Sequence, residues 1–132
     1  MMQLIKKLSE PKLLLFIAVI YSIFITVLFL FPFTPEAKPL LKNGDKIVHI
    51  ILHFGLYFIW TLFYFNANKE RSFSKSILII GALCLFYGII IEILQYIFPF
   101  YRQADFWDIV ANFIGTVLGL IAFLSVNKRF KM

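Results

Sequence analysis

Four long apolar runs divide the chain: Leu13 to Phe31, Ile47 to Phe65, Ile77 to Phe98 and Phe106 to Val126. Each is close to the roughly 20 residues a helix needs to cross hydrocarbon at about 1.5 Å per residue. The first two runs contain no Asp, Glu, Lys or Arg, and the others contain one acid each, Glu92 and Asp108. The expected fold is therefore all-α, an integral membrane bundle of four transmembrane helices forming one domain over residues 1–132. Pro32, Pro35 and Pro39 break helix in the first connection, which ends in Asn43, Gly44 and Asp45, a turn followed by a candidate N-cap. The stretch NANKERSFSKS is short enough to join antiparallel helices, and Pro99 to Ala104 is shorter still, so the adjoining ends of the last two spans must be neighbours.

Polar residues interrupt these runs at helical spacing. Asp45, His49 and His53 are four apart on the second span, Glu92 and Gln95 three apart on the third, and Asp105, Asp108 and Asn112 three and four apart on the fourth. Each set shares one helix face. His49 and His53 lie about 6 and 12 Å along the helix from Asp45, and Glu92 about 9 Å from Phe98. The faces continue as small residues, Gly81 and Gly88 beside Glu92, and Ala111, Gly115, Gly119 and Ala122 beside Asp108 and Asn112. Small residues four apart let helices approach closely in lipid, so these faces point into the bundle. Gly115 and Gly119 are candidates for contact within the chain or, in a homo-oligomer, between chains.

Composition strengthens the membrane reading: 61% of residues are hydrophobic and only 15% charged, against roughly 25% charged in soluble domains. The net charge of +6 raises the question of nucleic acid, and its distribution answers against it. Nine of the thirteen Lys and Arg fall at Lys6, Lys7 and Lys12, at Lys69, Arg71 and Lys75, and at Lys128, Arg129 and Lys131. Under the positive-inside rule these mark the cytoplasmic side, with both termini there and Lys38, Lys42, Lys46 and Arg102 outside. The polar faces then lie in the outer half of the bilayer. The first run is too long for a signal-peptide h-region and lacks a small-x-small cleavage site, so it is read as a span. Leu4, Ile5 and Leu8, with lysines beside them, suit a short helix on the membrane surface; a frayed basic tail explains them as well. The lone Cys84 has no disulfide partner and reads as a small packing residue.

A charged residue at mid-span costs roughly 2.5–3.5 kcal/mol on insertion scales, so such groups usually face a bundle interior or water and mark function. Capping accounts for Asp45 and Asp105, and Asp108 three residues after Asp105 resembles a capping box. It does not account for Glu92, in the last turns of its helix where the dipole disfavours a negative charge. Glu92 needs a cation or a proton, with Arg102 and the histidines as candidates; a structural Glu92–Arg102 ion pair is the plain alternative. His49 and His53 form H-x-x-x-H, which offers two nitrogens to a metal with Glu92 or Asp108 as further ligands, but Ile50 stands where a zinc protease has its catalytic Glu. A neutral His49 bonded to a carboxylate and active as acid or base is preferred, and no metal or cofactor is assigned. Arg102 at the interface suits a phosphate or carboxylate headgroup. Tyr96, Phe98, Phe100, Tyr101 and Trp107 form an interfacial aromatic belt.

Together, Asp45-Lys46-x-x-His49, Glu92-x-x-Gln95, Arg102, Asp105 and Asp108-x-x-x-Asn112-x-x-Gly115 resemble the pattern of the VanZ-like membrane proteins. The resemblance runs from about Asp45 to Gly119, and the first span matches only as an apolar stretch. It implies a small polytopic protein of the bacterial cytoplasmic membrane, in a family whose namesake is associated with low-level resistance to the lipoglycopeptide teicoplanin. His53 departs from the pattern, which frequently has an aromatic such as Tyr there. The expected function is binding of an outer-leaflet amphiphile, a membrane lipid, a lipid-linked envelope precursor or a lipoglycopeptide, through Asp45, Lys46, His49, Glu92, Gln95, Arg102, Asp105, Asp108 and Asn112, with low-level teicoplanin tolerance as one outcome. Two alternatives stand beside it. One is an enzyme acting on a lipid headgroup with His49 as acid or base, Asp108 orienting it and Arg102 stabilising negative charge; the other is a structural network with no ligand.

Overall fold

The computed structural model describes residues 1–8, 10–30, 44–68, 72–97 and 105–130, and among these there is no strand. The helices are α1 (Met2–Leu8), α2 (Pro11–Leu30), α3 (Gly44–Ala67), α4 (Phe73–Ile97) and α5 (Phe106–Phe130). The last four are each long and apolar enough to cross a membrane. α3 and α4 begin three and four residues before the apolar runs do, because a helix continues past the hydrocarbon once its polar residues can face water. Pro11 occupies the first position of α2, where its missing N–H is no loss, and the Glu10 carbonyl accepts the Leu14 N–H. At the other end of α3, the side-chain amides of Asn66 and Asn68 donate to the carbonyls of Leu62 and Tyr64 and close its last turn. The helix starts at Gly44, so Asp45 sits inside the first turn of α3 and not at its N-cap.

The four long helices run alternately up and down. Leu30, Gly44, Ile97 and Phe106 share one end, here called upper, where Gln95 meets the Phe29 carbonyl and Lys46 meets Asp105. Phe65, Phe73 and Phe123 stack at the lower end. α3 and α4 touch each other and both outer helices, whereas α2 and α5 do not meet among the described residues. α3 and α5 run parallel and share the most extensive interface. α2 buries one stripe, Leu14, Ala18, Ile25 and Phe29, and exposes Phe16, Ile20, Ile23, Phe24 and Val27. Large apolar side chains face outward on all four helices, as lipid requires and water would not favour. The short α1 leaves Leu4 and Leu8 exposed and, among the described residues, touches α2 alone.

Lipid offers little hydrophobic drive for helix association, so close packing and interhelical hydrogen bonds must hold the bundle. The bonds tie α2 to its neighbours: Tyr21 donates to the Leu52 carbonyl at 2.7 Å, Trp60 Nε1 to Ser22 Oγ at 2.9 Å, and Thr26, whose hydroxyl donates to the Ser22 carbonyl, accepts from the Tyr87 hydroxyl at 2.6 Å. The packing is tightest between α3 and α5. A Cβ on Gly115 would collide with the Ile50 backbone carbonyl, and one on Gly119 would lie 2.8 Å from the Phe54 carbonyl oxygen. Backbone cannot rotate away as a side chain can, so both positions require glycine. Both glycines therefore pack against α3 within the chain. Cys84 is buried in the core beside Tyr57, Ile80 and Ile91.

Gly115→Ala should thus cost about 1–3 kcal/mol by overpacking. Gly81→Ala, whose Cβ would meet only a Tyr57 ring atom at 3.7 Å, should be neutral or mildly stabilising, since Ala is the better helix former by about 1 kcal/mol. Thermal unfolding of the detergent-solubilised variants checks the order, and a Gly115→Ala protein as stable as Gly81→Ala would refute the seam.

Candidate functional site

The upper end of the parallel α3–α5 pair carries the polar cluster. Asp105 caps α5: its Oδ1 accepts the Trp107 N–H at 3.0 Å, and its carbonyl accepts the Asp108 N–H. A capping box would return the Asp108 carboxylate to the Asp105 N–H. Here Glu92 Oε2, from α4, accepts that N–H at 3.2 Å, which frees Asp108 to face α3. Lys46 Nζ then bridges both acids, donating to Asp105 Oδ2 at 2.8 Å and to Asp108 Oδ1 at 2.5 Å. The Lys46 hydrogen bond, with the Trp107 N–H second, holds the Asp105 carboxyl below its ordinary value of 3.8. The N-cap Asp105 and Asp108 in the first turn of α5 also suit the positive end of its dipole.

One helical turn deeper on the same face lies His49, which is buried. Its Nδ1 is 2.9 Å from Asn112 Oδ1, its Nε2 is 3.5 Å from Asp108 Oδ2, and its ring stacks on Phe29 with centroids 4.4 Å apart and planes 20° apart. An amide oxygen only accepts, so Nδ1 carries a proton, and in the neutral ring Nε2 presents its lone pair toward the carboxylates. Thr116 Oγ1 in turn donates to the Asn112 carbonyl. One further turn down, His53 is fully buried between Phe29 and Tyr87, and neither ring nitrogen has a partner among the described residues. Gly88 makes room for this layer, because a Cβ there would lie 2.6 Å from Asn112 Nδ2 and 2.9 Å from His53 Nε2.

The structure brings together Lys46, His49, Glu92, Asp105, Asp108 and Asn112 from three helices. One atom each of His49, Glu92 and Asp108 lies within 4.8 Å of the other two, a set chemically able to hold a divalent ion, whereas His53 takes no part in it. Gln95 faces the other way, donating to the Phe29 carbonyl at 2.8 Å and tying α4 to the end of α2. Arg102 and the Asp45 side chain lie outside the described residues, as do Phe98, Phe100 and Tyr101; of the aromatic belt, Tyr96 and Trp107 are exposed at this end. The residue on His49 Nδ1 is Asn112, not Asp108, which stands at the opposite nitrogen. Two contributions were not foreseen. Phe29 of α2 forms one wall against His49, and Lys46 is the cation of the acids. The signal for Lys46 was present, since it lies three residues before His49 and shares its face.

A small helical bundle with four membrane-spanning helices, an apolar exterior and a buried cluster of acids, amide, lysine and histidine at one end defines a multi-pass membrane protein built around a polar site. The chain belongs to the VanZ/LLP1 family, whose model matches residues 13–127 and so includes α2 as well as the three helices carrying the motif. It is 32% identical over 113 residues to Uncharacterized protein C11E3.10 of the fission yeast Schizosaccharomyces pombe, an alignment covering 83% of this chain and 65% of that one. The chain thus spans about two thirds of its curated relative's length. No solved structure matches.

The Lys46–Asp105 contact sets a pH dependence. A carboxyl lowered on folding contributes stability that is present above its unfolded value and lost as pH falls through its folded one. Wild type should therefore lose melting temperature below about pH 4. Asp105→Asn should be less stable at pH 7 and lose less on acidification, so that the two melting curves converge. Parallel curves from pH 7 to pH 3 would show that the contact contributes nothing.

Proposed function

We propose that this protein binds a membrane amphiphile, holding its polar headgroup at the upper cluster while its apolar tail stays in the bilayer. The observation that carries this reading is the assembly of Lys46, His49, Glu92, Asp105, Asp108 and Asn112 beside the end of the bundle, with His49, Glu92 and Asp108 buried where ionisable groups are costly unless used. Lys46 and Asp105 keep partial exposure and form the mouth of the cluster, with His49, Glu92 and Asp108 buried behind them. Below His53, an apolar cleft of about 380 Å³ lined by Ser22, Leu56, Trp60, Leu83, Cys84 and Tyr87 lies between α2, α3 and α4. Tyr87 joins the two regions, its ring 6.1 Å from that of His53. The positive-inside pattern supports cytoplasmic termini and, with them, a cluster in the outer leaflet. A relative in a fission yeast favours a membrane lipid or a lipid-linked precursor as the ligand over a lipoglycopeptide such as teicoplanin. Teicoplanin tolerance, and a place in a bacterial cytoplasmic membrane, follow where that ligand belongs to a bacterial envelope.

A second reading, a small enzyme acting on a lipid headgroup, is favoured by one feature: Asn112 fixes the His49 tautomer and turns Nε2 toward the acids, which suits acid or base work. No Ser, Thr or Cys side chain touches that nitrogen among the described contacts, so water or the substrate supplies the nucleophile.

Wild type and His49→Ala, extracted in a polymer that carries native bilayer with it, should differ in retained lipid: the wild type should be enriched at least severalfold over bulk membrane in one headgroup class, and the variant should match bulk. Equal profiles in two folded proteins would sink the binding reading. The same pair expressed in a sensitive Gram-positive host at matched levels decides the antibiotic outcome, with protection by wild type alone as the supporting result.

A further inference from the structure

We infer that His49 Nε2, Glu92 and Asp108 form a binding site for one divalent transition-metal ion, of the Mn²⁺ or Zn²⁺ class, buried behind Lys46 at the upper end of the bundle. Three independent observations lead there. The first is convergence: one atom from each residue, on three different helices, lies within 4.8 Å of the other two. Ligands about 2.1 Å from a tetrahedral ion stand about 3.4 Å apart, so rotation about side-chain bonds closes the set without moving a helix.

The second observation is the Glu92 carboxylate. The side chain is 5% exposed, Oε2 accepts the Asp105 N–H, and Oε1 is buried with no hydrogen-bond partner among the described residues. A buried acceptor left without a donor costs about 1–3 kcal/mol, and Glu92 also stands near the negative end of α4. A cation removes both penalties together.

The third is the tautomer. With Asn112 accepting from Nδ1–H, His49 Nε2 holds a lone pair 3.5 Å from Asp108 Oδ2. Two acceptors facing each other repel unless something positive lies between them. A histidine whose far nitrogen donates to an oxygen acceptor is the usual support of a metal-bound imidazole. Charge agrees: the described side chains of the cluster include three carboxylates, Glu92, Asp105 and Asp108, and one ammonium, Lys46, which already serves Asp105 and Asp108. A borderline imidazole nitrogen beside two hard carboxylate oxygens favours Mn²⁺ or Zn²⁺ over an all-oxygen ion such as Ca²⁺. Three protein ligands leave coordination positions open toward Lys46, where the phosphate or carboxylate of a headgroup can enter.

The ion site does not rest on the amphiphile, because metal is measured with no ligand added. The full-length protein in detergent, stripped with EDTA, should take up one equivalent of Mn²⁺ and gain several degrees in melting temperature. Pulsed EPR of the Mn²⁺ form should show coupling to the nitrogen of one histidine. Glu92→Gln should bind at least tenfold more weakly, and His49→Ala should lose the nitrogen coupling. His53→Phe should retain both uptake and coupling. The inference is overturned if the cooperatively folded wild type binds no stoichiometric Mn²⁺ or Zn²⁺. It is overturned equally if uptake is unchanged in Glu92→Gln, or if His53→Phe abolishes it and so points to the H-x-x-x-H pair instead.

Discussion

The close approach of α3 and α5 at Gly115 and Gly119 is the constraint on which the site depends. The Ile50 and Phe54 carbonyls lie where side chains would otherwise stand, and this fixes the register of two parallel helices. His49 is the residue before Ile50, and Asn112 lies on the Gly115 face one turn above it, so the same register brings His49 to Asn112 and Lys46 to Asp108. The polar pairs could not impose that register alone. An interhelical hydrogen bond in a membrane is worth about 0.6 kcal/mol on average, less than the about 1–3 kcal/mol that one misplaced methyl costs. Packing therefore sets the geometry, and the polar groups make use of it.

Within that geometry the residues divide into those that a purely structural network explains and those it does not. Lys46, Asp105 and Asp108 cap and neutralise the start of α5, and Gln95 ties α4 to α2. These would order the helices with no ligand at all. Glu92 is different, because it uses one oxygen on the Asp105 N–H and buries the other unpaired. Gln could make the same bond to an N–H through its amide oxygen without the charge. A structural network thus has no need of an acid at position 92, whereas a cation site does.

The spans were legible because hydropathy reports the hydrocarbon thickness, and it missed the starts of α3 and α4 for the same reason: Asp45 and Lys46, or Phe73 to Ser76, are helical but stand outside the apolar run. Faces were legible from three- and four-residue spacing. Partners across helices were not, since spacing within one helix says which residues share a face and nothing about what that face meets. Hence Arg102 and the histidines stand as the expected partners of Glu92, whose Oε2 accepts the Asp105 N–H, and Asp108 as the expected support of His49, whose Nδ1 meets Asn112. Phe29 gave no signal, being one phenylalanine among seventeen. The capping box failed for a related reason, because a local rule assigned Asp108 to the Asp105 N–H that Glu92 reaches from another helix.

The choice of an amide at position 112 bears on what His49 can do. A carboxylate on Nδ1 would stabilise the imidazolium that forms when Nε2 takes a proton, as in the Ser-His-Asp arrangement. A neutral amide oxygen fixes the same tautomer and leaves Nε2 directed at Asp108. Asp108, placed at Nε2, then meets that lone pair across a gap that only a proton or a metal ion can bridge favourably. The arrangement at His49 thus suits sharing an electron pair, which is what a metal ligand does.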